Sequence, residues 1–427
     1  MMGKRLFAII ACLALLSTLA PSARGYAVLS HEAIIDSAWD TDIKLAIRKK
    51  FPGVTPDQLK EAHGYAYGGA IIQDMGYYPH GSFFFSDLTH YVRSGDFVLA
   101  LLRDAQNPDE YAFALGALAH YAADNEGHRL GTNRSVPLLY PKLREKYGDS
   151  ITYEEGKLEH VKTEFGFDVL QVARSRYAPD SYHDFIGFNV AQRLLDQAFQ
   201  DTYGLQLKSV LSNEDTVLNS YRYDVSKLMP KATRIAWSLK QDEIQNDVPG
   251  ITKKKFLYNL SRSDFEKHWG KDYQGPSFGD KCLALLYEIL PKFGPLKVLQ
   301  FKTPTPETEK MFEQSFNATL DRFRGLLKQV DSGTPDVPND NFDTGSVTGP
   351  GKYKLNDETR AKLLDKLAEQ KFAGTPQVLR DDLLAFFSDP NAHYAIRKDS
   401  KEWARLQSQL TALRNTPAAP AVASAGH

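Results

Sequence analysis

His120, Asp124 and His128 follow one another at intervals of four residues. Since an α-helix returns to nearly the same face after four residues, this spacing predicts three side chains along one stripe of a helix. Imidazole and carboxylate groups are the ligands that Zn²⁺ prefers in hydrolytic sites. Burying all three without a metal ion would leave costly unpaired groups, so the pattern favours a metal site over an ordinary polar helix face.

The same interval recurs in His160 and Glu164. One such pair is a weak indication, because pairs of this spacing are common on helix surfaces. A second ligand pair that follows the first triplet along the chain is more informative. Together, the two motifs predict a metal site assembled between two helices.

The start of the chain has the features of a secretory signal peptide. Residues 4 and 5 are basic, residues 6–20 form an apolar run, and small residues occupy positions 23 and 25. We therefore expect residues 1–25 to be removed, so that Tyr26 becomes the mature N-terminus and the protein is secreted or periplasmic. A lipoprotein signal ending at Cys12 is disfavoured, because the apolar stretch before it would be very short.

Further candidate ligands lie upstream of the first motif. His31 follows the predicted N-terminus closely, and Asp74 and His90 come next along the chain. The resulting order is a free amine, His, Asp, His, then His-x3-Asp-x3-His, and finally His-x3-Glu. Asp87 is a competing carboxylate that we expect to orient a ligand histidine rather than to bind metal.

This order resembles that of the zinc-dependent phospholipase C family, which shares a superfamily with secreted single-strand nucleases. The resemblance extends by motif from Tyr26 to Phe167. It implies an all-α, multi-helical bundle that holds three zinc ions in one cleft. The nine positions that it assigns as metal ligands are Tyr26, His31, Asp74, His90, His120, Asp124, His128, His160 and Glu164.

The resemblance also implies how these residues divide among the ions. The amine and carbonyl group of Tyr26 would bind one zinc together with His31, and Asp124 would bridge it to a second. Asp74, His90 and His120 would be the other ligands of that second ion. The last three ligands, His128, His160 and Glu164, would hold the third ion. The interval from Asp124 to His128 is four residues, which is shorter than the six residues of some relatives.

A bridging carboxylate suits a close metal pair, whose summed charge can stabilise a phosphate oxyanion. Zinc also lowers the pKa of its water toward ~7, which gives a nucleophile at neutral pH. The family implies that an acidic residue near the metal pair activates the water. Asp74 is the first candidate for this catalytic role, and Glu32 is the second.

Composition excludes several other classes. Lys and Arg total 52 and Asp and Glu total 53, so there is no basic footprint for stable binding of duplex nucleic acid. Cys12 is lost with the signal peptide, which leaves Cys282 alone and excludes a disulfide scaffold. No later segment is long and apolar enough to predict a transmembrane helix in the mature chain.

Hydrophobic spacing is helical along most of the chain, with few runs that alternate as strands do. It predicts helices at 110–125 and 152–178, and a helix that begins after an N-cap at Thr55. We predict a catalytic helical domain at 26–331, a linker or long exposed loop at 332–352, a small C-terminal helical region at 353–415 and a disordered tail at 416–427.

Three functions remain open from the sequence. The favoured one is hydrolysis of phospholipids, at a membrane surface, with release of diacylglycerol and a phosphorylated headgroup. A single-strand nuclease or nucleotidase could use the same three-zinc chemistry, and a non-catalytic zinc-stabilised protein could use the same ligands. Five aromatic residues between Asp74 and His90 fit either a substrate-binding rim or ordinary core packing. They are Tyr77, Tyr78, Phe83, Phe84 and Phe85.

Overall fold

The computed structural model describes residues 27–78, 80–174, 188–211, 215–218, 229–258 and 300–417. Within these ranges the regular elements are helices, and the β pairing consists of one isolated bridge between Asn341 and Ser346. The all-α prediction is therefore confirmed. The predicted signal peptide, Tyr26 and Cys282 lie outside the described residues.

Sixteen α-helices follow one another in this part of the chain. Their bounds are α1 Val28–Ala38, α2 Lys44–Lys50, α3 Pro56–Gly69, α4 Phe83–Tyr91, α5 Ser94–Asp104, α6 Pro108–Glu126, α7 Asn133–Leu139, α8 Pro141–Tyr147, α9 Lys157–Ala173, α10 Gln192–Tyr203, α11 Met229–Asp247, α12 Lys253–Tyr258, α13 Pro306–Ser332, α14 Lys354–Glu369, α15 Gln377–Phe386 and α16 Ser400–Asn415. Short 3₁₀ and π turns connect several of them.

Helix α6 is the centre of the fold, and its residues from Glu110 to Glu126 are buried. It packs along α3, α5 and α13, and it also contacts α1. Its start agrees with the sequence, because Asn107 accepts a hydrogen bond from the amide of Glu110 and Pro108 occupies the first helical position. A helix surrounded in this way holds its side chains in place through packing on all faces.

Helices α3 and α6 pack with their backbones in close approach. The predicted N-cap at Thr55 forms a capping box with Gln58, which fixes the start of α3. A Cβ at Gly116 would lie 2.1 Å from the carbonyl oxygen of Ala66, so only glycine fits at this crossing. The close approach brings the end of α3 beside the part of α6 that carries the predicted ligands.

The predicted second ligand helix begins later than the spacing suggested. Helix α9 starts at Lys157, because Thr152 donates its amide to the Glu155 carboxylate in a preceding turn. The described part ends at residue 174, so the predicted continuation to 178 lies partly outside the described residues. Both ligands of the second motif are on the helix.

The segment after α13 differs from an exposed loop. Asn339 accepts a hydrogen bond from the amide of Asp96, and Asp340 accepts bonds from the hydroxyl of Tyr121 and from Arg322. Residues 340–343 are almost fully buried. The expectation of exposure is therefore wrong for this part of 332–352, because its short polar side chains are paired with core helices. The predicted domain bounds stay predictions.

Helices α14, α15 and α16 form the C-terminal helical region, and α14 packs against α4. Leu363, Leu364 and Leu367 of α14 are buried in the same apolar core as the N-terminal helices. In the described ranges, no helix combines the length and the apolar character needed to cross a bilayer.

Candidate metal centre

Six elements bring the predicted ligands together. His31 lies on α1, Asp74 on the 3₁₀ turn Ile72–Tyr77, His90 near the end of α4, His120 and Asp124 on α6, His128 on the π turn Gly127–Thr132, and His160 and Glu164 on α9. All eight side chains are buried, with residue exposures between 0% and 2%. Tyr26, the ninth predicted ligand, lies outside the described residues.

The carboxylate of Asp124 lies between two sets of histidines. Its Oδ2 atom lies 3.1 Å from Nε2 of His120 and 3.3 Å from Nε2 of His90. Its Oδ1 atom lies 3.5 Å from Nε2 of His31. Asp74 contributes a second carboxylate, whose Oδ1 lies 3.3 Å from the same nitrogen of His90. The two oxygens of Asp124 thus face different ligand groups.

Backbone carbonyls fix the orientation of two of these histidines. The Nδ1 atom of His90 donates to the carbonyl of Ser86 at 2.7 Å, and that of His120 donates to Ala70 at 2.8 Å. In the neutral form of each ring, such contacts place the proton on Nδ1 and leave Nε2 as the lone-pair atom that faces the carboxylates. This arrangement is the usual way in which proteins hold a metal-binding imidazole.

His31 joins the group because α1 is tied to α9. The Asp168 carboxylate accepts hydrogen bonds from the amide of Leu29 and the hydroxyl of Ser30. The His31 ring stacks on that of His120, with centroids 4.5 Å apart and planes inclined by 9°. Burial, and then the charge of His120, lower the pKa of His31 to about 3. The ring is therefore neutral at pH 7, which is the form that binds metal.

Burial and neighbouring charges act in opposite directions on the pKa values of the remaining groups. Burial disfavours charge on Asp124, but His120 and His90 outweigh it and hold its pKa well below the ordinary value. Burial also opposes charge on His90, yet the carboxylates of Asp124 and Asp74 raise its pKa to about 9. At Asp74 burial prevails over the nearby histidines, and its pKa is raised. The charges of these groups depend strongly on one another.

The donor set fits a metal ion. Within the described part of the chain, the buried atoms that lack a hydrogen-bond partner include six from the ligand side chains: Asp74 Oδ1, His90 Nε2, His120 Nε2, both oxygens of Asp124, and His128 Nε2. Unpaired buried polar atoms are costly, and each of these is a ligand atom of the type that zinc binds. Two groups share His120: His31 and Asp124 complete one, and Asp74 and His90 complete the other, in which His90 also lies 3.3 Å from Asp124.

His128 lies on a π turn rather than on the α-helix that carries His120 and Asp124. Helix α6 ends at Glu126 and continues as the π turn Gly127–Thr132, in which hydrogen bonds span five residues rather than four. His128 lies beside His160 of α9, with ring centroids 4.9 Å apart. The first motif therefore begins on α6 and ends on the π turn, next to the second ligand helix.

Asp343 is a site residue that sequence reasoning missed. Its carboxylate lies 2.8 Å from Nδ1 of His128, and with His128 and His160 it forms a third group suited to a metal ion. Burial opposes its charge, but His128 and the other neighbours outweigh it, and the pKa of Asp343 is lowered. The only signal in the sequence was a carboxylate in a polar segment, which spacing could not connect to the helices.

Glu164 and Glu32 differ in their relation to these groups. Glu164 accepts a hydrogen bond from Nδ1 of His160 at 2.8 Å, on the ring edge away from Asp343. Glu32 is buried on α1, and it lies outside the three ligand groups of the described residues. Burial, followed by the charges of Asp36 and Asp168, raises the pKa of Glu32 well above its ordinary value.

The aromatic cluster is largely core. Tyr78, Phe84 and Phe85 are buried in the apolar core, while Tyr77 packs against His90 with centroids 5.7 Å apart. Phe83 alone of the five is exposed, at 54%. Core packing therefore accounts for most of the cluster, and Phe83 is the member left at the surface.

The region that carries most of these groups also matches a known protein family. Residues 30–213 match the model of the family described as zinc dependent phospholipase C. No curated protein and no solved structure matches the chain. The matched family and the buried His and Asp groups support a zinc phospholipase-like function. Over residues 30–213, the chain thus resembles the zinc-dependent phospholipase C family, as the order of its motifs predicts.

Proposed function

We propose that the mature protein is a secreted or periplasmic zinc-dependent phosphodiesterase that hydrolyses phospholipids in the manner of phospholipase C. The observation that supports this most is the position of Asp124. Its two oxygens face two sets of buried ligands inside the region that matches the family. A close pair of cations sharing one carboxylate is the arrangement expected of a phosphodiester hydrolase.

The proposal assigns three zinc ions. His31 binds the first together with the terminal amine of Tyr26, while His90, His120 and Asp74 bind the second. Asp124 is the shared ligand of these two. His128 and His160 bind the third, with Glu164 as the carboxylate that the family assigns to it.

When bound, zinc lowers the pKa of water and neutralises charge that develops on phosphate oxygens. Asp74 is the residue that we assign to proton transfer, with its carboxylate accepting a proton of the attacking water. Attack of this water on phosphorus breaks the bond to the glycerol oxygen, which takes up a proton and leaves as diacylglycerol, while the phosphate stays on the headgroup; Asp74 then gives up the proton that it accepted. Asp124 stays ionised throughout and holds its ligand groups at a fixed separation.

A substrate assay on one preparation tests this function. The mature protein is incubated with phosphatidylcholine vesicles, single-stranded DNA and a soluble phosphodiester, before and after chelation and with zinc restored. We expect diacylglycerol from the vesicles, loss of activity on chelation, and recovery with zinc. Cleavage of DNA but not of lipid would instead identify a nuclease with the same metal chemistry.

A matched metal analysis separates catalysis from binding. Zinc present at two or three ions per chain without turnover of any of the three substrates would favour a zinc-stabilised binding protein. A purified chain that holds no zinc, and gains none on incubation with it, would overturn the metal assignment altogether. Localisation is tested separately, by locating the protein in cell fractions and sequencing its N-terminus, which we expect to be Tyr26.

A further inference from the structure

The turn at 340–346 enters the molecule beside the third ligand group. The amide of Asn341 donates to the carbonyl of Ser346, and Gly345 has a φ of 67°. A Cβ at Gly345 would lie 2.6 Å from the carbonyl oxygen of Asn125, at the end of α6. A bridge and a left-handed glycine thus hold the turn against the helix that carries the ligands.

The carboxylate of Asp343 is fixed within this turn. Its Oδ2 atom accepts hydrogen bonds from the hydroxyl of Tyr353 at 2.6 Å and from the amide of Tyr153 at 2.8 Å. These contacts leave Oδ1 directed at His128, 2.8 Å from its Nδ1 atom, and 3.8 Å from Nε2 of His160. The residue is 1% exposed, so water does not screen its charge.

His160 faces oxygen acceptors on both ring edges. Its Nδ1 atom contacts Oε1 of Glu164 at 2.8 Å, and its Nε2 atom contacts Oδ1 of Asn133 at 2.6 Å. The amide of Asn133 cannot simply be turned round, because its Nδ2 atom donates to the carbonyl of Asp343 at 2.6 Å. A neutral imidazole has one proton and so satisfies only one of these contacts. A cation beside Nε2 would satisfy the other.

We propose that Asp343 is a carboxylate ligand of the third zinc, together with His128 and His160, and that Glu164 orients His160 through Nδ1. This inference rests on the proposed function and changes its ligand set. It also gives residues beyond the family match, which ends at residue 213, a direct part in the metal centre. Two imidazoles and one carboxylate leave a zinc coordination position open.

The test measures metal in the full mature protein rather than activity alone. Asp343→Asn keeps the size of the side chain and removes its charge. We expect this variant to lose one zinc per chain, or to release that zinc to a chelator at least about tenfold more readily than the wild type. The other ions should remain, because their ligands lie in the groups around Asp124.

Asp340→Asn is the matched control. Asp340 lies in the same turn and is also buried, but its carboxylate contacts Arg322 and Tyr121 rather than the ligand histidines. We expect this variant to keep the zinc content of the wild type. Equal metal loss in both variants would mean that the turn matters only as a support, and it would overturn the ligand assignment.

Asp343→Cys provides a direct reading of ligation. A thiolate is a zinc ligand, so the variant should keep the third ion, and its cobalt-substituted form should gain a thiolate-to-cobalt absorption band in the near ultraviolet. Retention of all zinc in Asp343→Asn, or absence of that band in a folded, metal-loaded Asp343→Cys, would defeat the inference while leaving the proposed function intact. A wild-type protein without zinc would instead defeat the proposed function itself.

Discussion

Oδ1 of Asp124 lies 3.5 Å from Nε2 of His31, although the two residues belong to different helices. The other oxygen of the same carboxylate faces His120, one turn earlier on α6. A carboxylate whose two oxygens both face ligand groups cannot be replaced by an amide of the same shape. The amide nitrogen carries no lone pair for a cation. Asp124 is therefore the residue at which the proposed centre is most sensitive.

We predict that Asp124→Asn lowers phosphodiesterase activity by more than about 100-fold and reduces zinc content. Metal analysis and turnover should be measured on the same sample. Asp109→Asn makes the same chemical change at the other end of α6, and we expect it to keep both properties. An Asp124→Asn protein with full zinc content and unchanged turnover would remove Asp124 from the centre.

Much of this centre could be predicted because its ligands lie on regular helices. The interval between His120 and Asp124 fixes their common face, and the interval between His160 and Glu164 does the same on α9. Which nitrogen of each histidine faces the ligand groups could not be predicted. That depends on carbonyls such as those of Ser86 and Ala70, which only the packing of helices brings near.

The packing of α3 on α6 gives a second prediction. A Cβ at Gly116 would lie 2.1 Å from the carbonyl oxygen of Ala66 and 2.8 Å from the amide of Ala70. Ala70 also holds Nδ1 of His120, so separating the helices would move this anchor. We expect Gly116→Ala to lower the free energy of unfolding by about 1–3 kcal/mol and to weaken zinc retention.

Denaturant unfolding and chelator competition measure the two effects. Gly325→Ala is the control, because Gly325 lies within α13 and a Cβ there would meet nothing within 4 Å. Since alanine favours helix more than glycine does, we expect this control to be stabilised by up to about 1 kcal/mol. If Gly116→Ala were as stable and as rich in zinc as the control, the close approach would not position His120.

Two features lay beyond sequence reasoning for distinct physical reasons. The π turn after Glu126 places His128 beyond the end of α6, and a change from α to π hydrogen bonding leaves no mark in the hydrophobic spacing. Asp343 comes from a polar segment typical of exposed loops. Its burial depends on pairing with Tyr353, Tyr153 and His128, which are distant in sequence or come from other elements.

The two candidate bases should respond differently to amide substitution. Burial raises the pKa of both carboxyls, but the charges of Asp36 and Asp168 add to this effect at Glu32, whereas His90 and His120 oppose it at Asp74. We expect Glu32→Gln to keep turnover within about twofold, because Glu32 lies outside the three ligand groups of the described residues and the amide replaces a carboxyl whose charged form burial disfavours. Asp74→Asn should lower turnover by about 100-fold or more.

Both variants are assayed with phosphatidylcholine vesicles at saturating zinc, and their thermal unfolding is recorded. Similar melting temperatures would show that any difference in turnover arises at the site. If Glu32→Gln lost as much activity as Asp74→Asn while remaining folded, Glu32 would become the better candidate for the base.

The second residue of α6 gives a pH-dependent prediction away from the metal centre. Burial, followed by the charges of Glu61 and Glu110, raises the pKa of Asp109 to about 6. A raised pKa means that the folded state holds this proton more tightly than the unfolded state does. The stabilising effect of protonation is therefore complete below the ordinary pKa of aspartate and is lost as pH rises toward 7.

We expect Asp109→Asn to unfold like the wild type near pH 4 and to be more stable at pH 7, by about 1 kcal/mol after allowance for partial solvent screening. Denaturant unfolding of both proteins across this range measures the difference, from which titrations common to both cancel. Asp57→Asn is the control, because Asp57 occupies the same position in α3 but is exposed. The raised pKa of Asp109 would be contradicted if the difference in free energy of unfolding between Asp109→Asn and the wild type stayed constant with pH. It would also be contradicted if the wild type were the more stable protein at pH 7.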